Sequence, residues 1–254
     1  VKKLQEEAAA AGAAESSAGG GETADWAKLI TPADLVAEVA AVAALCPDDV
    51  KNAGFFKSRG APEAANHHGQ LAMLFQIIAQ FNGDVKYKDV ATGMRALAAK
   101  ASLASIATEE GAFEAAKAST DAVAGLLKNG KADAPAADAG ASWSDEVLDF
   151  SVAMKRMEVA QRDRLYKWTA TEPEFAAKKA EIIHEARILA VLAQVILDSS
   201  YSLAGEGDYR DFAQKLRENC LKTVAAAESG NFDAGRAAVA DINLQCDACH
   251  GAYR

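Results

Sequence analysis

Prolines, β-branched runs and long apolar stretches are all scarce in this chain of 254 residues, and each scarcity narrows the fold class. Only five prolines occur and alanine is abundant, a composition that favours helices over strands. No apolar run reaches the roughly 18–20 residues that a membrane-spanning helix needs. We therefore expect an all-α protein with no membrane span in this chain.

Basic residues are also in the minority. The sequence has 27 Lys and Arg against 36 Asp and Glu, which gives a formal net charge of −9. A negatively charged protein is repelled by nucleic acid and by anionic membranes, but it can dock on a basic protein. The sequence contains no Ser/His/Asp set and no phosphate-binding glycine loop, so we do not expect an enzyme.

Cysteine is rare as well, but two of the four cysteines lie together near the C-terminus. Cys246, Cys249 and His250 form a C-x-x-C-H motif, the attachment signature of a c-type haem. The two thiols add to the haem vinyl groups, and the adjacent imidazole becomes the proximal ligand of the iron. A redox dithiol would need a strand-helix context, and a zinc site would need a second ligand pair. Neither is found, so the motif predicts covalent haem c.

The motif also bears on location. Covalent haem attachment takes place outside the bacterial cytoplasm, so we expect an exported, periplasmic protein. No signal peptide is visible, and we interpret a chain that begins at Val1 as processed or trimmed. Residues 1–21 are rich in Ala, Gly, Ser and Glu without periodicity, which is typical of a flexible tail or a tether to a removed segment.

Composition divides the chain into four parts. We assign residues 1–28 to the tail and residues 129–141, rich in Gly, Ala and Asp, to a linker. The blocks 29–128 and 142–254 are each predicted to form a four-helix bundle. The second block is predicted to have helices at 144–168, 172–199, 208–229 and 232–253, with a capping box at Thr171 and a C-cap glycine at Gly230. Thr31-Pro32-Ala33-Asp34 is predicted to open the first helix of the first block in the same way.

The two blocks resemble each other in an ordered series of short segments, which we interpret as a tandem duplication. Gln76-Ile77-Ile78 matches Gln194-Val195-Ile196, Tyr87-Lys88-Asp89 matches Tyr209-Arg210-Asp211, and Gly111-Ala112-Phe113-Glu114-Ala115 matches Gly230-Asn231-Phe232-Asp233-Ala234. The same alignment sets Leu127, Gly130 and Lys131 opposite Cys246, Cys249 and His250. Since the first block lacks the attaching groups, the sequence predicts one haem, with side chains filling the equivalent volume.

The second block resembles the class II c-type cytochromes, the cytochrome c-prime family, because its haem motif ends the last predicted helix. The resemblance covers roughly residues 142–254. It implies a haem on the last helix of a four-helix bundle, with the first helix supplying the residue on the distal side of the iron. The terminal Tyr253-Arg254 is similar to the family's aromatic-Arg pair, which implies that both contact the haem. Many members carry an arginine where this chain has Phe150.

The distal residue follows from the same resemblance. The stretch Ala153-Met154-Lys155-Arg156-Met157 is similar to the Met-Lys-x-Met stretch of the low-spin members. Met154 is therefore the first candidate for the sixth iron ligand, and Met157 is the second. In high-spin members an apolar residue leaves this position open.

The other histidines and cysteines have simpler interpretations. His184 is either a distal ligand or, more commonly for such a position, a neutral histidine with its hydrogen bonds satisfied. The adjacent His67 and His68 point about 100° apart on a helix and chelate one ion poorly. Cys46 and Cys220 fall in apolar stripes, which favours small buried side chains, although export keeps a disulfide open.

Three functions remain open at this point. The leading hypothesis is a monohaem electron-transfer protein in which His/Met ligation closes both axial positions. The alternatives are a five-coordinate protein that binds NO or CO, and a haem-bearing subunit of a larger redox complex. A basic redox partner would suit the net charge. Because class II cytochromes commonly pair through their first two helices, we expect the two blocks to form an intramolecular pseudo-dimer rather than two beads on the linker.

Overall fold

The structure, a computed structural model, describes residues 24–138 and 140–253. These residues form helices joined by turns and loops, with no strand among them, so the all-α prediction is confirmed. None of the described helices is both long and apolar enough to cross a membrane. Most of the predicted tail, and the predicted haem contact Arg254, lie outside the described residues.

Within residues 24–138, the N-terminal half below, four long helices carry the structure. They are α1 (Pro32–Ala43), α2 (Ala61–Gln80), α3 (Ala91–Ala107) and α4 (Ala112–Asn129). Shorter helical turns lie at Trp26–Lys28, Cys46–Asp49, Ala53–Phe55, Phe56–Gly60 and Lys88–Val90.

Within residues 140–253, the C-terminal half below, the long helices are α5 (Phe150–Glu158), α6 (Lys179–Val195), α7 (Gly207–Ser229) and α8 (Phe232–Tyr253). A π-helical segment at Val159–Leu165 and an α-helical turn at Tyr166–Trp168 continue α5. Short helical segments precede α5 at Trp143–Val147 and α6 at Glu172–Ala177. A π-helical segment widens the helix and changes its register, and such segments are frequent at functional sites.

Local caps fix several helix ends where the sequence predicts them. The Thr31 hydroxyl accepts a hydrogen bond from the backbone N–H of Asp34, and the Thr171 hydroxyl accepts one from that of Glu174. Gly230 ends α7 with a φ of 71°, in the left-handed region that glycine enters without steric cost. The predicted threonine N-cap and C-cap glycine of the C-terminal half are therefore confirmed.

Two predicted helices of the C-terminal half are shorter than expected. The helix predicted for 144–168 is interrupted by extended backbone at Leu148 and Asp149. The helix predicted for 172–199 breaks at Lys178 and ends at Val195. Beyond Val195 the chain turns back, and the Tyr201 hydroxyl donates a hydrogen bond to the backbone oxygen of Leu148 at 2.7 Å. This long-range contact joins the break at Leu148 to the turn that follows Val195, and no local sequence pattern predicts it.

The two halves share one apolar core. The largest buried cluster contains residues from helices of both halves, Leu71 and Leu189 among them. Helix α2 packs on α5, and the Trp26 and Trp143 rings lie 5.9 Å apart between centroids. The packing of α2 on α5 is close at Gly69, where a Cβ atom would lie 2.9 Å from Val152 Cγ1.

The predicted linker lies along α3. The Arg95 guanidinium donates a hydrogen bond to the backbone oxygen of Asp138 at 2.7 Å. At Gly93 a Cβ atom would lie only 2.4 Å from the backbone oxygen of Pro135. Ala132 and Ala134 are partly buried against the core. Residues 131–138 are therefore non-helical, as a linker should be, but they are held against the N-terminal half.

Candidate functional site

A cavity of about 580 Å³ lies between α5, α7 and α8. Its volume falls in the usual range for cofactor and ligand pockets, roughly 300–1,000 Å³. Its lining includes Phe150, Met154 and Met157 from α5, Tyr209, Phe212 and Leu216 from α7, and Cys246, Cys249, His250 and Tyr253 from α8. The structure thus brings every predicted haem contact among the described residues to one cavity.

Helix α8 supplies the attachment motif. Val239 and Ile242 are buried and fix the helix on the core, while Cys246 and Cys249 are half-buried and His250 is exposed. Residues three and four apart lie on the same face of a helix. The two thiols and the imidazole therefore border the same cavity.

Helix α5 forms the opposite wall. Met154 is half-buried and Met157 is buried, and both line the cavity together with Phe150. The Phe150 ring packs against Tyr201, with the centroids 5.9 Å apart. Both candidate distal ligands therefore face the cavity.

Tyrosines close one end of the cavity. The rings of Tyr209 and Tyr253 meet edge to face, with centroids 5.7 Å apart and an interplanar angle of 87°. The Tyr209 hydroxyl donates a hydrogen bond to the backbone oxygen of Ile196 at 3.4 Å. Tyr253 is thus oriented by a neighbour that is itself buried and hydrogen-bonded.

The two motif thiols are held in their protonated form. Burial raises the pKa of the Cys246 thiol to about 11, and the nearby Asp247 carboxylate acts in the same direction. Burial also raises the pKa of Cys249. Protonated thiols are poor nucleophiles, so unassisted reaction of these cysteines with other thiols or oxidants is disfavoured.

The remaining candidates from the sequence lie elsewhere. His184 does not line the cavity, and both of its ring nitrogens have carboxylate partners, so its hydrogen bonds are satisfied as predicted. Burial lowers its pKa, but these partners outweigh burial, raise the pKa and favour the charged form over the predicted neutral one. His67 Nδ1 lies 2.6 Å from Asp49 Oδ2, and burial lowers the pKa of His68 to about 4. Cys46 and Cys220 are buried free thiols, as the apolar stripes predicted.

Sequence reasoning missed a buried ionic cluster between the two halves, which we call the inter-half ion cluster. It consists of Asp34 and Glu38 on α1, Arg156 on α5, Arg164 in the π-helical segment, and His184, Glu185 and Arg187 on α6. A signal was present in the sequence, because Glu38 and Glu185 interrupt apolar helix faces. Charged residues at such positions are almost always paired when buried.

Arg156 lies at the centre of the inter-half ion cluster. Its guanidinium donates to Glu185 Oε2 at 2.9 Å and to Glu185 Oε1 at 3.2 Å. It also donates to Glu38 Oε1 at 2.9 Å. All three side chains are nearly inaccessible to solvent. A two-point Arg–carboxylate pair of this kind is among the stronger hydrogen-bonded contacts in proteins.

His184 extends the cluster toward α1. Its Nε2 lies 2.7 Å from Glu38 Oε2, and its Nδ1 lies 3.4 Å from Asp34 Oδ1. Burial raises the pKa of Glu38, but His184 and Arg156 outweigh it and lower the pKa to about 2. Glu38, His184 and Glu185 also lie close enough to hold a metal ion. Because Arg156 pairs with both carboxylates, and Arg164 and His184 supply further positive partners, we interpret the group as an ion-pair network.

One comparison with known proteins gives a partial match. Over 46 residues the chain is 41% identical to cytochrome c' of Alcaligenes xylosoxydans xylosoxydans, a stretch that covers 18% of this chain and 36% of that protein. No family model matches the chain, and no solved structure matches it. The match therefore extends over about a third of the relative's length, and it supports a cytochrome c'-like relationship at most.

Proposed function

We propose that this chain is a monohaem c-type cytochrome that acts in electron transfer. The observation that carries the proposal is the common cavity of the C-x-x-C-H motif and the two methionines of α5. Two thiols, an imidazole and a thioether are the donor types of a haem with His/Met axial ligands. The partial match to a cytochrome c' supports the same assignment.

Each site residue has a proposed role. Cys246 and Cys249 hold haem c through two thioether bonds, and His250 is the proximal ligand. Met154 is the distal ligand, with Met157 as apolar wall. When bound, the haem supplies a one-electron iron couple. The apolar side chains of α5 and α7 exclude water from the distal side, and Tyr253 packs at the edge of the site.

Location and architecture belong to the same proposal. Haem attachment implies export, so we assign the protein to the bacterial periplasm, with a redox partner protein of basic surface. The two halves form an intramolecular pseudo-dimer that arose by tandem duplication, and only the C-terminal half carries haem. The shared core and the inter-half ion cluster support this arrangement.

The gas-binding alternative rests on one specific observation. Met154 is only half-buried in the cavity, and an apolar distal face without a ligating sulfur would leave the sixth position open. The two functions differ in one measurable property, the occupancy of that position.

An absorption spectrum of the reduced protein before and after addition of CO tests the proposal. Electron transfer predicts a low-spin, six-coordinate spectrum that CO changes slowly or not at all. A high-spin spectrum that responds to CO at once would assign the gas-binding function instead. A double variant, Cys246→Ala with Cys249→Ala, is the matched control and should retain no haem through denaturation.

A further inference from the structure

Helix α5 is shared between the cavity and the N-terminal half. Phe150, Met154 and Met157 face the cavity. Val152 and Arg156, on its other side, contact α2 and α1 of the N-terminal half. The wall of the proposed haem site is therefore also the surface on which the N-terminal half packs.

The N-terminal end of α5 is capped, because Asp149 Oδ1 accepts a hydrogen bond from the backbone N–H of Ser151 at 2.8 Å. The helix has nine residues, extended backbone precedes it at Leu148 and Asp149, and the π-helical segment Val159–Leu165 follows it. Because the regular α-helical pattern changes at both ends of α5, side-chain contacts contribute to its position. Val152 and Arg156 make such contacts with the N-terminal half, and they therefore help to set where Met154 lies.

Two contacts from the N-terminal half converge on α5. One is the hydrogen-bonded ion pair in which Arg156 donates to Glu38 Oε1 at 2.9 Å. The other is the close approach at Gly69, where any Cβ would lie 2.9 Å from Val152 Cγ1. The ion pair orients the Arg156 side chain and balances its charge. The close approach at Gly69 sets the distance between α2 and α5.

We infer that Glu38 is a positioning residue for the distal side of the site: through Arg156 it holds α5, and with it Met154, in place. The inference rests on the proposed function only in taking Met154 as the distal ligand of a haem. It assigns the N-terminal half a task, since Glu38 belongs to a half that carries no attachment motif. Glu185, which also binds Arg156, belongs to the same half as the site. Glu38 is therefore the carboxylate that the N-terminal half contributes to the position of Arg156.

The N-terminal half offers a matched control. Asp34, on the same helix as Glu38, also joins the halves, because Arg187 donates to Asp34 Oδ2 at 2.6 Å. Arg187 lies on α6, and Asp34 makes no hydrogen bond or ion pair with α5 among the described residues. Asp34→Asn therefore weakens the junction between the halves without touching the distal helix.

The experiment compares Glu38→Gln, Glu38→Asp and Asp34→Asn in the haem-loaded full chain. The first readout is the rate of CO binding to the ferrous protein. We expect Glu38→Gln to raise it about tenfold, equivalent to about 1.4 kcal/mol of lost preference for the closed site. Asp34→Asn should change it less than about twofold, a difference of about 0.4 kcal/mol. Glu38→Asp keeps the charge on a shorter side chain and should give an intermediate rate.

The second readout is the NMR spectrum of the chain labelled at its four methionine methyl groups. Glu38→Gln should move the signals of Met154 and Met157, but not those of Met73 and Met94, which lie in the N-terminal half. Asp34→Asn should move neither pair. Equal effects of Glu38→Gln and Asp34→Asn, or no effect of either, would overturn the inference.

Failure of the proposed function is distinguishable from failure of this inference. If the unsubstituted ferrous chain is high-spin and binds CO at once, Met154 is no ligand and electron transfer loses its support. The methyl comparison still decides whether Glu38 positions α5, because it compares variants that share the same haem and the same iron state. If Glu38→Gln does not fold, Glu38→Asp gives the same comparison.

Discussion

Arg156 and Glu38 are 118 residues apart in sequence, yet the Arg156 guanidinium donates to the Glu38 carboxylate at 2.9 Å in the interior. The pair links the helix that carries the candidate distal methionine to a half that lacks the haem motif. Burial of both charges is tolerated because each has further partners, Glu185 for Arg156 and His184 for Glu38. The first prediction tests this pair directly.

Substitution of Arg156 by methionine should destabilise the protein strongly. It leaves Glu38 and Glu185 buried without their shared counter-charge, and such a loss costs about 3–5 kcal/mol. Urea unfolding of the full chain measures the change. As control, Arg162 pairs with Glu158 on the exposed side, and Arg162→Ala should leave the stability nearly unchanged. Equal losses of unfolding free energy in the two variants would show that the buried pair stabilises the fold no more than the exposed one.

The inter-half ion cluster should make stability depend on pH. Burial lowers the pKa of His184, but Glu38 and Asp34 outweigh it and raise the pKa above its ordinary value of 6.5. A raised pKa stabilises the folded state below 6.5, and that stabilisation is lost as the pH rises through the folded-state pKa. The charged groups around His184 are Asp34 and Glu38 on α1, Glu185 and Arg187 on α6, and Arg156 on α5.

The pH prediction is measured with His184→Gln as reference. The unfolding free energy of the unsubstituted chain should exceed that of the variant at pH 6, and the difference should shrink as the pH rises. Glu38 behaves in the opposite direction, because its pKa is lowered to about 2. Its stabilisation is present above 4.5 and is lost as the pH falls toward 2. A difference between the two proteins that stays constant with pH would contradict the role of His184.

Met154→Ala should open the distal site. The thioether is the candidate sixth ligand, so its removal leaves the iron five-coordinate and lets CO bind rapidly. Stopped-flow mixing of the ferrous variant with CO measures the rate. Met157→Ala is the control and should leave the spectrum nearly unchanged, although the loss of a buried side chain costs about 2–5 kcal/mol of stability. If instead Met157→Ala binds CO rapidly and Met154→Ala leaves the spectrum unchanged, Met157 is the ligand.

The haem content should be one per chain. The positions that match the motif in the first block hold Leu127, Gly130 and Lys131, which cannot attach haem. A mass spectrum after expression with a haem-maturation system should show the mass of the chain plus one haem. Cys249→Ala should lower covalent loading, whereas Cys220→Ala, at a buried free thiol, should leave it unchanged. Two haems, or none, would reject the assignment.

Solution scattering tests the pseudo-dimer. The shared core, the Trp26–Trp143 contact and the hydrogen bond of Arg95 to Asp138 hold the halves and the linker together. We therefore expect a compact particle with a single maximum in its distance distribution. An extended envelope that varies with conditions would favour two beads on a linker, since mobile domains are the default when the interface between them is small.

Much of the helical layout was readable from local chemistry. Thr31, Thr171 and Gly230 mark helix ends through short-range hydrogen bonds and backbone preference, and the structure places the ends there. The helix predicted for 144–168 is interrupted at Leu148, whose backbone oxygen accepts a hydrogen bond from the Tyr201 hydroxyl, 53 residues away. Local patterns carry no information about such a contact.

The sequence by itself determined the chemistry of the site. The spacing of Cys246, Cys249 and His250 is a property of three residues on one helix turn, and it holds whatever surrounds them. Only the tertiary structure decided that Met154 and Met157 face this motif across one cavity, and that His184 does not. It also decided that Arg156 turns away from the cavity to meet Glu38. Both outcomes depend on how α5 packs between two halves, and packing is a sum of long-range contacts that no short segment encodes.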